Sequence, residues 1–165
     1  MRTSAGTIKI RIADIYRRLD FNAARLRKML RALCERFAVR RADISIVIVN
    51  DTQIKKVNKE FLGRSYITDV ISFDLSDEDG DGKVFELVIN AQESRRQAKS
   101  RGHSDEAELA LYIVHGFLHD VGFDDAKQRA AKRMHQTEDE ILEEFGYGIT
   151  YRSSERVTQR AKKRG

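Results

Sequence analysis

Residues with the spacing of metal ligands stand out in this chain of 165 residues, within the segment HGFLHDVGFDD that runs from His115 to Asp125. His115 and His119 are four residues apart in a stretch of helical character. Both imidazoles therefore lie on one helix face, about 6 Å apart along the axis, as two ligands of one metal ion require. Gly122 permits the left-handed turn that ends such a helix. The segment predicts a metal site formed by the two histidines and Asp125.

The ligand spacing HxxxHxxGxxD is that of the zinc peptidases with HExxHxxGxxH. Gly116 stands where those enzymes have their general-base glutamate. Three protein ligands leave one coordination position open, as in catalytic zinc sites. A water bound there has a pKa of about 7. Asp124 is an alternative third ligand, and Asp120 is a candidate to orient an imidazole. The first histidine could instead be a buried core residue, and His103 and His135 are expected at the surface.

Hydrophobic periodicity predicts the elements that must position these residues. Alternating and β-branched runs predict strands at 8–12, 44–49, 70–73 and 84–89. Apolar residues three and four apart predict helices at 26–37, 54–61, 92–99, 104–121 and 126–145. The order β-α-β-α-β-β-α-α-α predicts one α+β domain, residues 1–150. In it, a small mixed four-stranded sheet packs with about five helices, and the metal site lies on a C-terminal helix and the loop after it.

The charge of the chain is unevenly distributed. Residues 1–41 carry 12 basic and 3 acidic side chains, for a net charge of +9, and residues 151–165 carry 6 and 1, for +5. Residues 42–150 carry 13 basic and 22 acidic side chains, for −9. Two basic ends favour a polyanion such as RNA, which they would attract by releasing its counterions. A flexible basic tail at 151–165 that only aids solubility is the alternative.

The composition indicates an ordinary globular protein, with 41% hydrophobic and 35% charged residues. No apolar run approaches the roughly 20 residues of a membrane helix, and no secretory signal is visible. The single cysteine, Cys34, cannot form an internal disulfide, and its helix-like surroundings predict burial. We therefore expect a cytoplasmic protein that makes no membrane contact.

Several motifs, taken in order, resemble the YbeY family of bacterial metal-dependent endoribonucleases and rRNA maturation factors. They are ISIVIVND at 44–51, TDVISF at 68–73, ELVIN at 86–90 and HGFLHDVGFD at 115–124. Their ordered combination is specific, and the similarity covers most of residues 42–145.

The resemblance implies a zinc-type ion held by three histidines, and metal-assisted cleavage of single-stranded RNA. The implied roles are maturation of the 16S rRNA 3′ end and ribosome quality control. The implied partners are ribosomal RNA and either small-subunit proteins or an assembly GTPase, with no small-molecule cofactor. His115 and His119 match two of the family's ligands, whereas Asp125 stands where the family has its third histidine. Aspartate is a harder ligand, so manganese or iron would compete better with zinc.

Two further positions differ from the family's pattern. Leu62 stands where the family usually has an arginine that faces the RNA phosphate, and Arg64 is the nearest substitute. Ile67 replaces the proline before the TDVISF motif. The resulting hypothesis assigns catalysis to the two histidines of the metal site and to Arg64. In it, the basic ends position the RNA backbone and Thr68 or Ser72 lines the groove.

Two other functions stay open at this point. The first is a non-catalytic ribosome-assembly factor that binds RNA and protein, in which a metal only fastens the helix to its loop. Leu62 and Asp125 favour this alternative because both depart from the family's pattern. The second is a metallopeptidase, which the ligand spacing alone favours. Gly116 counts against it, because peptide hydrolysis needs the missing general base.

Overall fold

The sheet and its helices are seen in a computed structural model that describes residues 6–148. Its strands are β1 (Ile8–Asp14), β2 (Ala42–Val49), β3 (Val70–Asp74) and β4 (Lys83–Asn90). Its helices are α1 (Ala23–Arg36), α2 (Asp51–Leu62), α3 (Ala91–Arg101), α4 (Asp105–Asp120) and α5 (Gln128–Glu144). The strand order is β1-β2-β4-β3. β1, β2 and β4 are parallel, and β3 pairs antiparallel with β4 as a hairpin, so the sheet is mixed.

Alternation along the central strands divides the core into two layers. In β2, Ile44, Ile46 and Ile48 are fully buried in the larger cluster, which also contains the apolar residues of α1, α4 and α5. Val49 belongs to a smaller cluster on the other face, where Ile54 of α2 packs. Because successive side chains of a strand point to opposite faces, a strand buried on both sides is apolar almost throughout. The sheet is therefore sandwiched between α2 and the three-helix layer that carries the histidines.

Polar residues fix the starts of the helices that matter for the site. The side chain of Ser104 accepts a hydrogen bond from the backbone N–H of Ala107 and so begins α4. Asn90 is fully buried and accepts from the N–H groups of Gln92 and Glu93 at the start of α3. Burial of an uncharged side chain that satisfies both donors ties α3 to the end of β4.

The architecture confirms the prediction of a single α+β unit with a mixed four-stranded sheet and five helices. The predicted element order is also confirmed, and Cys34 is buried as expected. Burial raises the pKa of its thiol to about 11. Within the described range, no helix has the length and apolar character needed to cross a membrane. The proposed tail at 151–165 lies outside the described residues, so the domain boundary stays a prediction.

Candidate metal centre

The C-terminal end of α4 places two imidazoles side by side. Nε2 of His115 and Nε2 of His119 are 3.1 Å apart. After the helix ends, Gly122 adopts a φ of 103°, in the left-handed region that favours glycine. The turn brings Oδ2 of Asp125 to 3.8 Å from Nε2 of His115 and 3.6 Å from Nε2 of His119. The three side chains chosen from the sequence thus form one cluster.

Hydrogen bonds on the far side of each ring determine which nitrogen faces the cluster. Nδ1 of His115 lies 2.7 Å from Oε1 of Glu138 on α5. Nδ1 of His119 lies 3.1 Å from the carbonyl oxygen of Phe123. A carbonyl and a carboxylate can only accept, so each Nδ1 donates, and a ring in its neutral form presents the lone pair of Nε2 to the cluster. Two lone pairs pointing at one site repel each other until a cation or a proton lies between them.

The donor set and its spacing fit a single divalent ion. In tetrahedral coordination with bonds of about 2.1 Å, ligand atoms are about 3.4 Å apart. The separations here are 3.1, 3.6 and 3.8 Å. Two imidazoles and a carboxylate are ligands that zinc accepts, and the carboxylate also suits manganese and iron. The cluster can therefore bind a metal ion.

One side of the cluster is buried and the other is open to solvent. The side chains of His115, His119 and Asp125 are 20, 34 and 43% exposed, whereas that of Glu138 is fully buried. Burial by itself lowers the pKa of His115, but the hydrogen bond and charge of Glu138 outweigh this effect and raise the pKa above its usual value. The open side leaves room for a water or a substrate atom at a bound ion.

A cleft of about 320 Å³ adjoins His115. Its other walls come from the loop before β3, from α3 and from α4, and consist of Ile67, Thr68, Asp69, Glu93, Gln97, Arg101, Leu111 and Tyr112. Arg101 pairs at 3.4 Å with Glu108, whose side chain is fully buried. Burial raises the pKa of Glu108, although the charges of Arg101 and His103 oppose this effect. The cleft is thus a polar channel of mixed charge that leads to the cluster.

Of the four residues predicted to lie beside the cluster, one lines the cleft and three make other contacts. Thr68 lines the cleft. Ser72 instead lies against α4, with its hydroxyl 2.5 Å from Oδ1 of Asp120. Asp120 therefore does not orient an imidazole, and that prediction was wrong, because its carboxylate lies against β3. Asp124 accepts a hydrogen bond from the N–H of Ala126 at 2.9 Å and lies outside the cluster.

Three other candidates also lie outside the cluster. Arg64 is exposed on the loop after α2, where its guanidinium donates to the hydroxyl of Tyr66 at 3.1 Å, and it does not line the cleft. His103 and His135 are half-buried rather than fully at the surface. Nδ1 of His135 lies 3.3 Å from Oε2 of Glu138, so this carboxylate contacts two histidines.

Glu138 is the residue of the site that sequence reasoning missed. It lies four residues after Met134 and three before Ile141, on the buried face of α5. A carboxylate on the apolar face of an amphipathic helix is a detectable signal, because a buried charge needs a partner. No such signal exists for the Phe123 carbonyl, since it is a backbone group.

Comparison with known proteins identifies the family to which the chain belongs. The model of the family described as Endoribonuclease YbeY matches residues 11–146. The chain belongs to the YbeY family. Endoribonuclease YbeY of Bacillus licheniformis is 37% identical over 147 residues, which cover 82% of this chain and 86% of the relative. Endoribonuclease YbeY of Bacillus subtilis is 34% identical, with 72% of this chain and 82% of the relative covered.

A solved structure extends the YbeY comparison to the fold. The solution structure of TM1509 from Thermotoga maritima matches with a TM-score of 0.54 and 22% sequence identity. The match covers 84% of this chain and 91% of that one. At this identity the likeness concerns the fold alone. Family membership confirms the resemblance of the ordered motifs, and this YbeY-family chain carries an aspartate, Asp125, in its candidate ligand cluster.

Proposed function

We propose that this chain is a metal-dependent endoribonuclease that cuts single-stranded RNA. The observation that carries the proposal is the convergence of three ligand atoms, Nε2 of His115, Nε2 of His119 and Oδ2 of Asp125. It occurs in a chain whose relatives are named Endoribonuclease YbeY. One Zn²⁺ per chain is the proposed ion, and manganese or iron compete for the site because one ligand is a carboxylate.

The proposed substrate is ribosomal RNA, and the proposed role is maturation of the 16S rRNA 3′ end and ribosome quality control in the cytoplasm. The motifs shared with the family support this assignment, as does the positive charge of both ends of the chain. Small-subunit proteins or an assembly GTPase are the proposed partners.

Each residue of the site has a distinct task in this mechanism. His115, His119 and Asp125 would hold a divalent ion, and the chemistry it would supply is Lewis-acid activation of a phosphate oxygen or of a water. Glu138 keeps a proton on Nδ1 of His115, so that Nε2 stays available as a ligand. Arg64 and the basic ends contact the RNA backbone. They position the substrate and transfer no proton.

The structure offers less support for the two other functions. A purely structural ion is usually enclosed by four protein ligands, whereas this cluster has three and an open side. A peptidase needs a base at position 116, but a Cβ added to Gly116 would lie 2.9 Å from Cδ2 of Leu87. This position therefore faces the sheet, and a longer side chain there would not reach the cluster.

Two adjacent carboxylates provide a matched test of the site. Asp125→Asn removes a charged ligand, whereas Asp124→Asn keeps the oxygen that accepts from Ala126 and changes no ligand. We expect the purified wild type and Asp124→Asn to contain about one equivalent of metal and to cut single-stranded RNA. His119→Ala should lose both properties, and Asp125→Asn should lose at least tenfold in metal affinity.

Metal content is measured by elemental analysis, cleavage with a labelled oligonucleotide, and folding by circular dichroism. A metal-loaded wild type that cuts no RNA would favour the non-catalytic assembly factor. Unchanged cleavage by folded His119→Ala would contradict the proposal, and a casein digest with added zinc tests the peptidase directly.

A further inference from the structure

We propose that four exposed apolar side chains beside the cleft form a platform on which unpaired nucleobases of the RNA stack. This apolar shelf consists of Phe61, Leu62, Tyr66 and Ile67. The inference rests on the proposed function, since it states how the RNA substrate of that site is held and why the strand must be single.

The shelf concentrates apolar surface that a folded protein normally covers. Phe61, Leu62, Tyr66 and Ile67 are 68, 45, 52 and 46% exposed. They are four of the seven large hydrophobic side chains that are exposed within residues 6–148, and they fall within seven consecutive positions. Isolated exposed apolar residues need no explanation, whereas four within one short segment indicate a binding surface.

The backbone beneath the shelf is held in place by the fold. Asn58 is buried, and its side-chain amide donates to the carbonyl oxygen of Tyr66 at 3.0 Å. The backbone N–H of Arg64 donates to the carbonyl oxygen of Asn58 at 3.2 Å. The ring of Phe61 meets that of Phe73 on β3 edge to face, with centroids 5.8 Å apart. The platform is therefore preorganised, which lowers the entropic cost of binding.

The shelf continues into the candidate active site. Ile67 and the adjacent Thr68 both line the cleft that contains His115. Ile67 is therefore the point at which the shelf borders the cleft beside the metal cluster.

The charge around the shelf favours RNA over a protein partner. Residues 54–67 carry four basic side chains and one acidic one, Glu60, although residues 42–150 are acidic as a whole. Lys55, Lys56 and Lys59 are exposed on α2, and Arg64 bonds to the Tyr66 hydroxyl. Aromatic faces interleaved with cations are the features of single-strand binding sites, whereas protein interfaces are depleted in lysine.

The shelf also accounts for two departures of this chain from the family's pattern. Leu62 and Ile67 stand where the resemblance implies an arginine and a proline. Both residues add exposed apolar surface to the shelf, and Ile67 also lines the cleft. Arg64, two residues further on, retains a cation at the edge of the shelf.

Binding to two RNA probes tests the shelf separately from catalysis. The full chain is titrated, in chelator to prevent cleavage, with a labelled single-stranded 12-mer and with a 12-mer whose central nucleotides are abasic. Stacking is worth about 1–3 kcal/mol per base, so Tyr66→Ala and Phe61→Ala should each weaken binding of the complete 12-mer roughly 5- to 150-fold. Both should bind the abasic probe as the wild type does, because its phosphates are intact. Tyr66→Phe, which keeps the ring, should bind both probes like the wild type.

Leu75→Ala is the matched control, because Leu75 is 55% exposed but lies on the hairpin between β3 and β4. It should bind both probes like the wild type. Equal losses on the two probes, or no loss on either, would overturn the shelf as a base platform, and the second result would indicate a protein partner. RNA cleavage that Tyr66→Ala leaves unchanged overturns the shelf but not the nuclease. Base-dependent binding without cleavage by the metal-loaded wild type overturns the nuclease but not the shelf.

Discussion

A single carboxylate, that of Glu138, determines which nitrogen of His115 faces the candidate metal cluster. Its bond to Nδ1 sets the tautomer, and its complete burial strengthens that bond because water does not compete. The local spacing of His115 and His119 suggests ligands, but their readiness to bind depends on a residue that is 23 positions further along the chain.

Glu138→Gln tests this dependence. A glutamine can still accept from Nδ1 of His115 but carries no charge, so the imidazole becomes a weaker ligand. We expect zinc affinity, measured by competition with a chromophoric chelator, to fall about 10- to 100-fold. Glu140→Gln makes the same change on α5 at a half-exposed carboxylate that pairs with Arg36, and its affinity should match the wild type. Identical affinities for Glu138→Gln and the wild type would show that the charge of Glu138 has no role.

At the scale of elements, close packing of α4 against the sheet positions both histidines. Gly116 lies between the two histidines in the sequence and is buried. A Cβ at this position would lie 2.9 Å from Cδ2 of Leu87 and 3.3 Å from Cγ2 of Val70. The absence of a side chain lets the helix approach β3 and β4. Close packing therefore explains why position 116 is a glycine, and a glycine at this position cannot serve as the general base of a peptidase.

Gly116→Ala sets two effects of opposite sign against each other. Alanine stabilises a helix interior by about 1 kcal/mol relative to glycine, whereas overpacking a core costs about 1–3 kcal/mol. We expect a net loss of about 1 kcal/mol in the free energy of unfolding, measured with urea. In a Leu87→Ala background, which vacates the contacted space, the same substitution should become stabilising by about 1 kcal/mol. An unchanged penalty in that background would mean that Leu87 is not the obstacle.

In the molecule as a whole, several arginines of residues 6–41 pair with acidic groups or carbonyl oxygens of the protein itself. Three arginines pair with acids of the middle of the chain: Arg11 with Asp43, Arg36 with Glu140, and Arg41 with Asp81. Arg25 donates to the carbonyl oxygen of Phe145, and Arg31 to that of Ile8. Exposed pairs of this kind add little stability, but they reduce the positive field available to a polyanion. We therefore expect residues 151–165 and α2 to provide more of the RNA contact than residues 6–41.

Replacing the six basic residues of 151–165 by glutamine tests how much this segment contributes to RNA binding, while its length stays the same. Each phosphate contact with a single strand contributes about 0.7 to the slope of log affinity against log salt. We expect the slope to decrease by up to about 4, and the affinity at low salt to fall by at least tenfold. Fluorescence anisotropy at several salt concentrations measures both. An unchanged slope would indicate that the tail affects solubility only.

The elements, their order and the three residues of the candidate cluster could be predicted from the sequence by itself. These features depend on local spacing: alternation in a strand, histidines one helical turn apart, and a glycine that ends the helix before Asp125. The prediction that Asp120 orients an imidazole was wrong. Asp120 directly follows His119 in the sequence, but its carboxylate lies against Ser72 on β3.

Only the tertiary structure decided what completes the site. Glu138 reaches His115 because α5 packs on α4, and Ile67 lines the cleft because the loop before β3 lies beside α4. The internal pairing of the N-terminal arginines likewise joins residues that are far apart in the chain, such as Arg36 and Glu140. Local periodicity carries no information on such contacts, because they depend on how whole helices and strands pack against one another.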